Sequence, residues 1–125
     1  MSVEKINSTE VGQHPHILSH AVKVPGLIFL SGQTPVGPDG KVVGETVGEH
    51  TAQCIKNLGE VLKAAGSSWE KVVKCNVYLK NMDDFAAMNA VYEKLLPSPK
   101  PARTCIQAAK LPNDVDVEIE AIASV

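Results

Sequence analysis

Residues 115–123 constrain the fold most. Val115, Val117 and Ile119 alternate there with Asp116, Glu118 and Glu120, so a strand through them has one apolar face and one acidic face. The apolar face needs a covering layer, and a chain of 125 residues has few to offer. Two segments carry helical periodicity. Thr46 and Glu49 match a capping box, and Ile55, Leu58, Leu62 and Ala65 follow at spacings of three and four, predicting a helix over about 47–65 that stops at Gly66. Asp83 and Asp84 begin the second, with Phe85, Met88, Tyr92 and Leu95 on its expected buried side and Pro97 and Pro99 ending it.

The remaining patterned segments read as strands. Val22, Val24, Leu27, Ile28, Phe29 and Leu30 predict two short strands joined at Pro25-Gly26. Residues 72–79 predict another, with Val73, Cys75, Val77 and Leu79 on one face, and residues 102–108 alternate Arg103, Cys105 and Gln107 against Thr104, Ile106 and Ala108. Residues 1–20 read as an irregular arm, and Thr34 to Gly44 as a loop with a turn at Pro38-Asp39-Gly40. The order ββ-α-β-α-ββ predicts one α+β domain spanning residues 1–125, with a single mixed sheet and both helices on one of its faces. The other face then lacks a cover, and packing sheet against sheet between copies of the chain is the economical solution.

Composition narrows the function classes. A net charge of −2 gives no electrostatic reason to expect nucleic acid or an anionic membrane, and no stretch approaches membrane-spanning length. Three widely spaced cysteines, Cys54, Cys75 and Cys105, indicate neither a disulfide framework nor a zinc ribbon, which fits a reducing compartment. The first twenty residues match neither a secretory signal nor an arginine-rich transit peptide, so the expected address is cytoplasmic, or mitochondrial if a presequence has been removed. His14, His16 and His20 cluster around Pro15, with His50 elsewhere. They read as loop or structural residues, and no metal is expected.

One basic residue stands apart. Of the twelve lysines and arginines only Arg103 is arginine, and its planar guanidinium grips a carboxylate through two parallel hydrogen bonds in a way an ammonium does not. If the polar faces of the last two strands coincide, Arg103 has at least two carboxylates within range, and spacing does not say which. Cys105, two residues on, shares its strand face. A cysteine there is more often a small buried hydrophobe than a nucleophile, and it is assigned to pocket lining.

The segment Pro101-Ala102-Arg103-Thr104-Cys105-Ile106-Gln107-Ala108-Ala109-Lys110-Leu111-Pro112, followed by Val117-Glu118-Ile119-Glu120-Ala121-Ile122-Ala123, closely resembles the signature of the reactive intermediate deaminase family, the RidA or YjgF type. Leu18-Ser19-His20-Ala21-Val22, Phe29 to Val36, Asn57-Leu58, Val73 to Leu79 and Asp84 to Tyr92 extend the resemblance over nearly the whole chain. It implies a chorismate-mutase-like fold, a homotrimer with ligand clefts between subunits, and no cofactor. The activity implied is hydrolysis of 2-aminoacrylate and related enamines, through 2-iminopropanoate or 2-iminobutanoate, to 2-oxo acids and ammonia. By the same resemblance Arg103 anchors the substrate carboxylate and Glu118 orients the water, with Glu120 as the competing carboxylate. Backbone around Arg103 and Cys105 holds the nitrogen end, while Ser31, Gly32 and Asn89 border the cleft. Family members commonly carry tyrosine where this chain has Leu18, which loses a hydroxyl and an aromatic face beside the substrate and favours larger apolar imino acids. The rival readings are a non-catalytic module that binds small carboxylates such as 2-oxo acids, a chaperone-like interaction protein, and nucleic-acid processing. The single arginine and the net charge of −2 weigh against the last.

Overall fold

Six strands form one mixed sheet: β1 (Glu4–Ile6), β2 (Ala21–Val24), β3 (Leu27–Gln33), β4 (Val72–Leu79), β5 (Ala102–Gln107) and β6 (Val117–Ser124), in the order β1-β2-β3-β6-β4-β5. The computed structural model describes residues 2–125. The alternating C-terminal strand β6 lies near the centre, antiparallel to β3 on one side and β4 on the other. Only β5 runs parallel to its neighbour β4, because helix α2 (Phe85–Leu95) carries the chain back across the sheet between them.

Helix α1 (Val47–Ala64) begins as expected: Thr46 accepts from the Glu49 amide at 3.1 Å, and the Glu49 carboxylate accepts in return from the Thr46 amide at 3.1 Å. Beyond its end Gly66 adopts φ +77°, the left-handed conformation that only glycine takes without strain. Cys54, Ile55, Leu58, Val61 and Leu62 of α1 and Met88 and Tyr92 of α2 pack on Ile28, Leu30, Cys75, Val77, Leu79, Val117 and Ile119 of the sheet. Both helices therefore cover one face. The opposite face presents Leu27, Phe29, Tyr78, Ile106 and Ile122, with Phe29 43% and Ile106 48% exposed.

The structure departs from the sequence reading at several points. Part of the N-terminal arm is a strand, since Glu4, Lys5 and Ile6 pair with Lys23, Val22 and Ala21; three residues without alternation carry no strand signal. Val73 does not join Cys75, Val77 and Leu79 in the core. A register shift between Val72 and Lys74 turns Val72 inward and leaves Val73 47% exposed. A 3₁₀ turn (Met82–Asp84) precedes α2, which buries Met88 and Tyr92 but leaves Phe85 and Leu95 largely exposed. Helix α2 meets the margin strand β5 through Arg103, which lies against Phe85 and Tyr92. The last two strands span 102–107 and 117–124, and Val115 is buried from the preceding loop.

His20 fastens the arm to the sheet. It is 1% exposed, its Nδ1 accepts from the Ser8 amide at 3.0 Å, and its Nε2 donates to the Gly12 carbonyl at 2.8 Å. A backbone N–H only donates and a carbonyl only accepts, so these partners require the neutral Nε2–H tautomer. Replacing the ring strands two backbone groups and leaves a cavity. His20→Ala is expected to lower stability by about 2 kcal/mol, measured as a reduced urea midpoint. A midpoint equal to that of the wild type would show that the arm is held by other contacts.

Candidate active site

A bulge in β3 shapes one half of the site. Leu30 pairs with Ala121 and Gln33 with Ile119, so Ser31 and Gly32 together face the single residue Glu120. Ser31 is fixed by its neighbours: its amide donates to the His20 carbonyl at 2.9 Å and its hydroxyl to the Ser19 carbonyl at 2.7 Å. Gly32 makes room for Glu118. A Cβ at position 32 would sit 2.5 Å from Glu118 Oε2, so any other residue there displaces the carboxylate.

Glu118 and Gly32 open into a cavity of about 440 Å³ that Leu18, His14, Thr34 and Pro112 also line. Its loop wall is held by buried Asn57 of α1, which donates to the carbonyls of Thr34 at 3.1 Å and Val36 at 2.8 Å. Farther along that loop, Gly40 adopts φ +81° in the expected Pro38-Asp39-Gly40 turn, and its amide donates to the Gly37 carbonyl at 2.9 Å. The cavity wall includes the carboxylates of Glu118 and Asp39 and no lysine or arginine among the described residues. Burial, and then the negative charge of Glu120, pushes the Glu118 carboxyl above the ordinary glutamate range.

Arg103 lies elsewhere. It pairs in parallel register with Cys75, whose side chain is buried under the helices, and its guanidinium lies against α2: Nη1 donates to Asn89 Oδ1 at 2.7 Å. The Tyr92 ring lies 4.8 Å and the Phe85 ring 5.6 Å from the guanidinium carbon. Glu118 pairs with Tyr78, which is out of step with core-facing Val77 and Leu79 and so belongs to the open face. The condition under which Arg103 would have carboxylates in range, coincident polar faces of the two C-terminal strands, is therefore not met within one chain. Parallel pairing to β4 turns Arg103 toward the helical layer, while Glu118 and Glu120 point away from it. Among the described residues no carboxylate lies within ion-pair distance of Arg103, and no cationic side chain within that distance of Glu118.

Of the remaining predicted residues, Asn89 and Cys105 accompany Arg103, Leu18 and Gly32 accompany Glu118, and Ser31 supports the bulge. Cys105 is half-buried against the core edge, and burial pushes its thiol up more than Arg103 draws it down, which disfavours thiolate. Sequence reasoning missed two features. His14 reaches the cavity because His20 folds the arm back, a long-range effect with no local signal. Tyr78 donates a hydrogen bond to Glu120, and here the strand alternation did carry a signal, since it set Tyr78 opposite the core residues. His50 bridges α1 to the Asp116 carboxylate at 2.8 Å and the Gly44 carbonyl at 2.9 Å, a structural tie.

The raised Glu118 value has a consequence for stability. The folded protein holds this proton more tightly than the unfolded chain, so ionising Glu118 opposes folding. Its stabilising share is complete below the ordinary glutamate range and is lost as pH rises through the folded value. Glu118→Gln, neutral throughout, is therefore expected to unfold at higher urea than the wild type at about pH 8, with the advantage fading toward about pH 4. A variant midpoint at or below that of the wild type at the higher pH would contradict this.

Comparisons with known proteins give the family. The family model described as Endoribonuclease L-PSP matches residues 13–125. The mitochondrial protein mmf1 of Schizosaccharomyces pombe is 52% identical over 84% of this chain, which spans 66% of that protein. The chloroplastic Reactive Intermediate Deaminase A of Arabidopsis thaliana is 44% identical over 85% of this chain, which spans 57% of it. Among solved structures, yeast Mmf1 superposes with a TM-score of 0.95 at 35% identity, covering 98% of each chain. Escherichia coli TdcF with bound serine superposes with a TM-score of 0.91 at 31% identity, again covering 98% of each. Matched over residues 13–125, the chain belongs to the Endoribonuclease L-PSP family, the YjgF/RidA proteins.

Proposed function

We propose that this protein hydrolyses small enamine and imine intermediates, such as 2-aminoacrylate, 2-iminopropanoate and 2-iminobutanoate, to 2-oxo acids and ammonia, in a cleft built by two copies of the chain. One observation carries the reading: Arg103 and Glu118 are charged groups without a charged partner, and they point from opposite faces of one sheet. A site that uses both needs the β5 margin of one copy beside the cavity of another. The apolar open face, with Phe29 and Ile106 exposed, supports such sheet-against-sheet association, and a homotrimer closes it symmetrically. The deaminase name of the Arabidopsis relative supports the reaction class, and the serine bound to TdcF supports a small ligand of amino-acid type.

In this reading an enamine first tautomerises to the 2-imino acid. Arg103, held at one side by Asn89, receives the carboxylate through its remaining N–H donors. Glu118 takes a proton from water as the water oxygen bonds to the carbon of the nitrogen-protonated imine, giving a neutral carbinolamine. That proton passes from Glu118 to the nitrogen, the C–N bond breaks with its electrons leaving with ammonia, and the hydroxyl oxygen returns its proton to Glu118 as the 2-oxo acid forms. Leu18 gives the cavity an apolar wall that favours longer side chains over the three-carbon substrate. The ribonuclease of the family description finds less support, because a cavity wall with two carboxylates and no lysine or arginine repels a phosphate backbone. The mitochondrial name of the fission yeast relative supports a mitochondrial address alongside the cytoplasmic expectation.

The test is imine hydrolysis, with the imine generated in situ by an amino acid oxidase. The wild type is expected to accelerate loss of the imine, Glu118→Gln to lower kcat by about a hundred- to ten-thousand-fold, and Arg103→Ala chiefly to raise KM. No acceleration by the wild type would leave a carboxylate-binding role as the better reading. Co-refolding Arg103→Ala with Glu118→Gln distinguishes a shared site from one within a chain. Random assembly rebuilds about a quarter of intersubunit sites, since each must draw its intact arginine from one variant and its intact glutamate from the other. No recovery on mixing would sink the two-copy site.

A further inference from the structure

Glu118 and Glu120 stand two residues apart on one strand face, so their carboxylates are neighbours. Two like charges this close oppose each other's ionisation, and a proton arriving at the pair would be shared unless something distinguishes them. Tyr78 does. Its direct cross-strand partner is Glu118, yet its hydroxyl reaches diagonally to donate to Glu120 Oε1.

Resting on the reading of Glu118 as the carboxylate that orients water, we propose that Tyr78 is a positioning residue: it clamps Glu120 as a hydrogen-bond acceptor and so assigns the exchangeable proton of the pair to Glu118. A donated hydrogen bond favours the ionised form of the carboxylate that accepts it. The negative charge of Glu120 then adds to burial in raising Glu118, while Glu118 itself faces the cavity. The phenol feels the same arrangement from the other side, and the hydrogen bond to Glu120, followed by burial, pushes it up to about 12. It therefore remains a donor across the working pH range.

The other groups around the pair do not duplicate this role. Lys74, farther along β4, donates to Thr104 Oγ1 at 2.8 Å. Asn76, opposite Glu120, does not titrate. His14 and Asp39 lie on the cavity wall, and Asp116, nearer the start of β6, is tied to His50. Beneath the sheet lies Cys54 of α1, whose thiol is pushed up by burial and then by the charges of Glu118 and Asp116, so it stays neutral.

The experiment is a carbon-13 NMR titration of the glutamate carboxyls in the wild type, Tyr78→Phe and Glu120→Gln, without substrate, beside the pH profile of imine hydrolysis. In the wild type Glu118 is expected to take up the first proton. Glu120→Gln keeps an acceptor for Tyr78 but removes the charge, and is expected to move the Glu118 midpoint down, with the acid limb of kcat/KM following it. Tyr78→Phe removes the donor, so both carboxyl carbons should titrate in two steps as the first proton spreads over the pair. Tyr78→Phe curves that superpose on those of the wild type, with Glu120 taking no share of the first proton, would overturn the assignment. Because the titration needs no turnover, a wild type inactive on imines would refute the deaminase reading and still leave the role of Tyr78 decided.

Discussion

Coverage on one side only is the constraint from which the rest of this structure follows. Two helices are too few to sandwich a six-stranded sheet, so the chain sorts its strand residues by face. Val117, Ile119, Ala121 and Ala123 go beneath the helices, and Glu118, Glu120 and Ile122 go to the open side. Every charged group of the candidate site inherits its direction from this sorting. Because β5 joins in parallel register at the margin, its arginine falls on the helical side. The carboxylates of β6, one strand beyond β4, fall on the other.

The fold was legible in the sequence wherever periodicity and local chemistry agreed. The capping box at Thr46, the stripe of α1 and the alternation of β6 all read correctly, because each is a short-range pattern enforced by one buried face. Legibility failed where tertiary context set the answer. Val73 fits strand alternation as well as Val72 does, and only the pairing of β4 with β6 decides which turns inward. Phe85 fits the apolar stripe of α2, but it stays 39% exposed at the start of the helix, against the guanidinium of Arg103 on the edge strand β5.

The arrangement of the candidate residues was not legible in their spacing. Arg103 was conspicuous as the single arginine, and Glu118 by resemblance, but nothing in the spacing of two strands says which face each presents once β4 lies between them. The β3 bulge was equally hidden. Strand β3 does end just past Ser31-Gly32, but no local pattern shows that these two residues face the single Glu120, and the missing Cβ of Gly32 is what admits the Glu118 carboxylate.

The unpaired charges of the site are best understood together. A half-buried carboxylate raised by burial and a guanidinium held on one side by a neutral amide are both unfavourable arrangements for a protein that has only to fold. Pairing them within the chain would relieve both, and the topology prevents it. On the proposed reading, an imino acid protonated on nitrogen carries the two complementary charges: its carboxylate matches Arg103, and its iminium lies toward Glu118 as water adds. The substrate then supplies the compensation that the fold withholds, and the two unpaired charges select for a small zwitterion. A neutral ligand, or one with a single charge, would satisfy only one of the two groups.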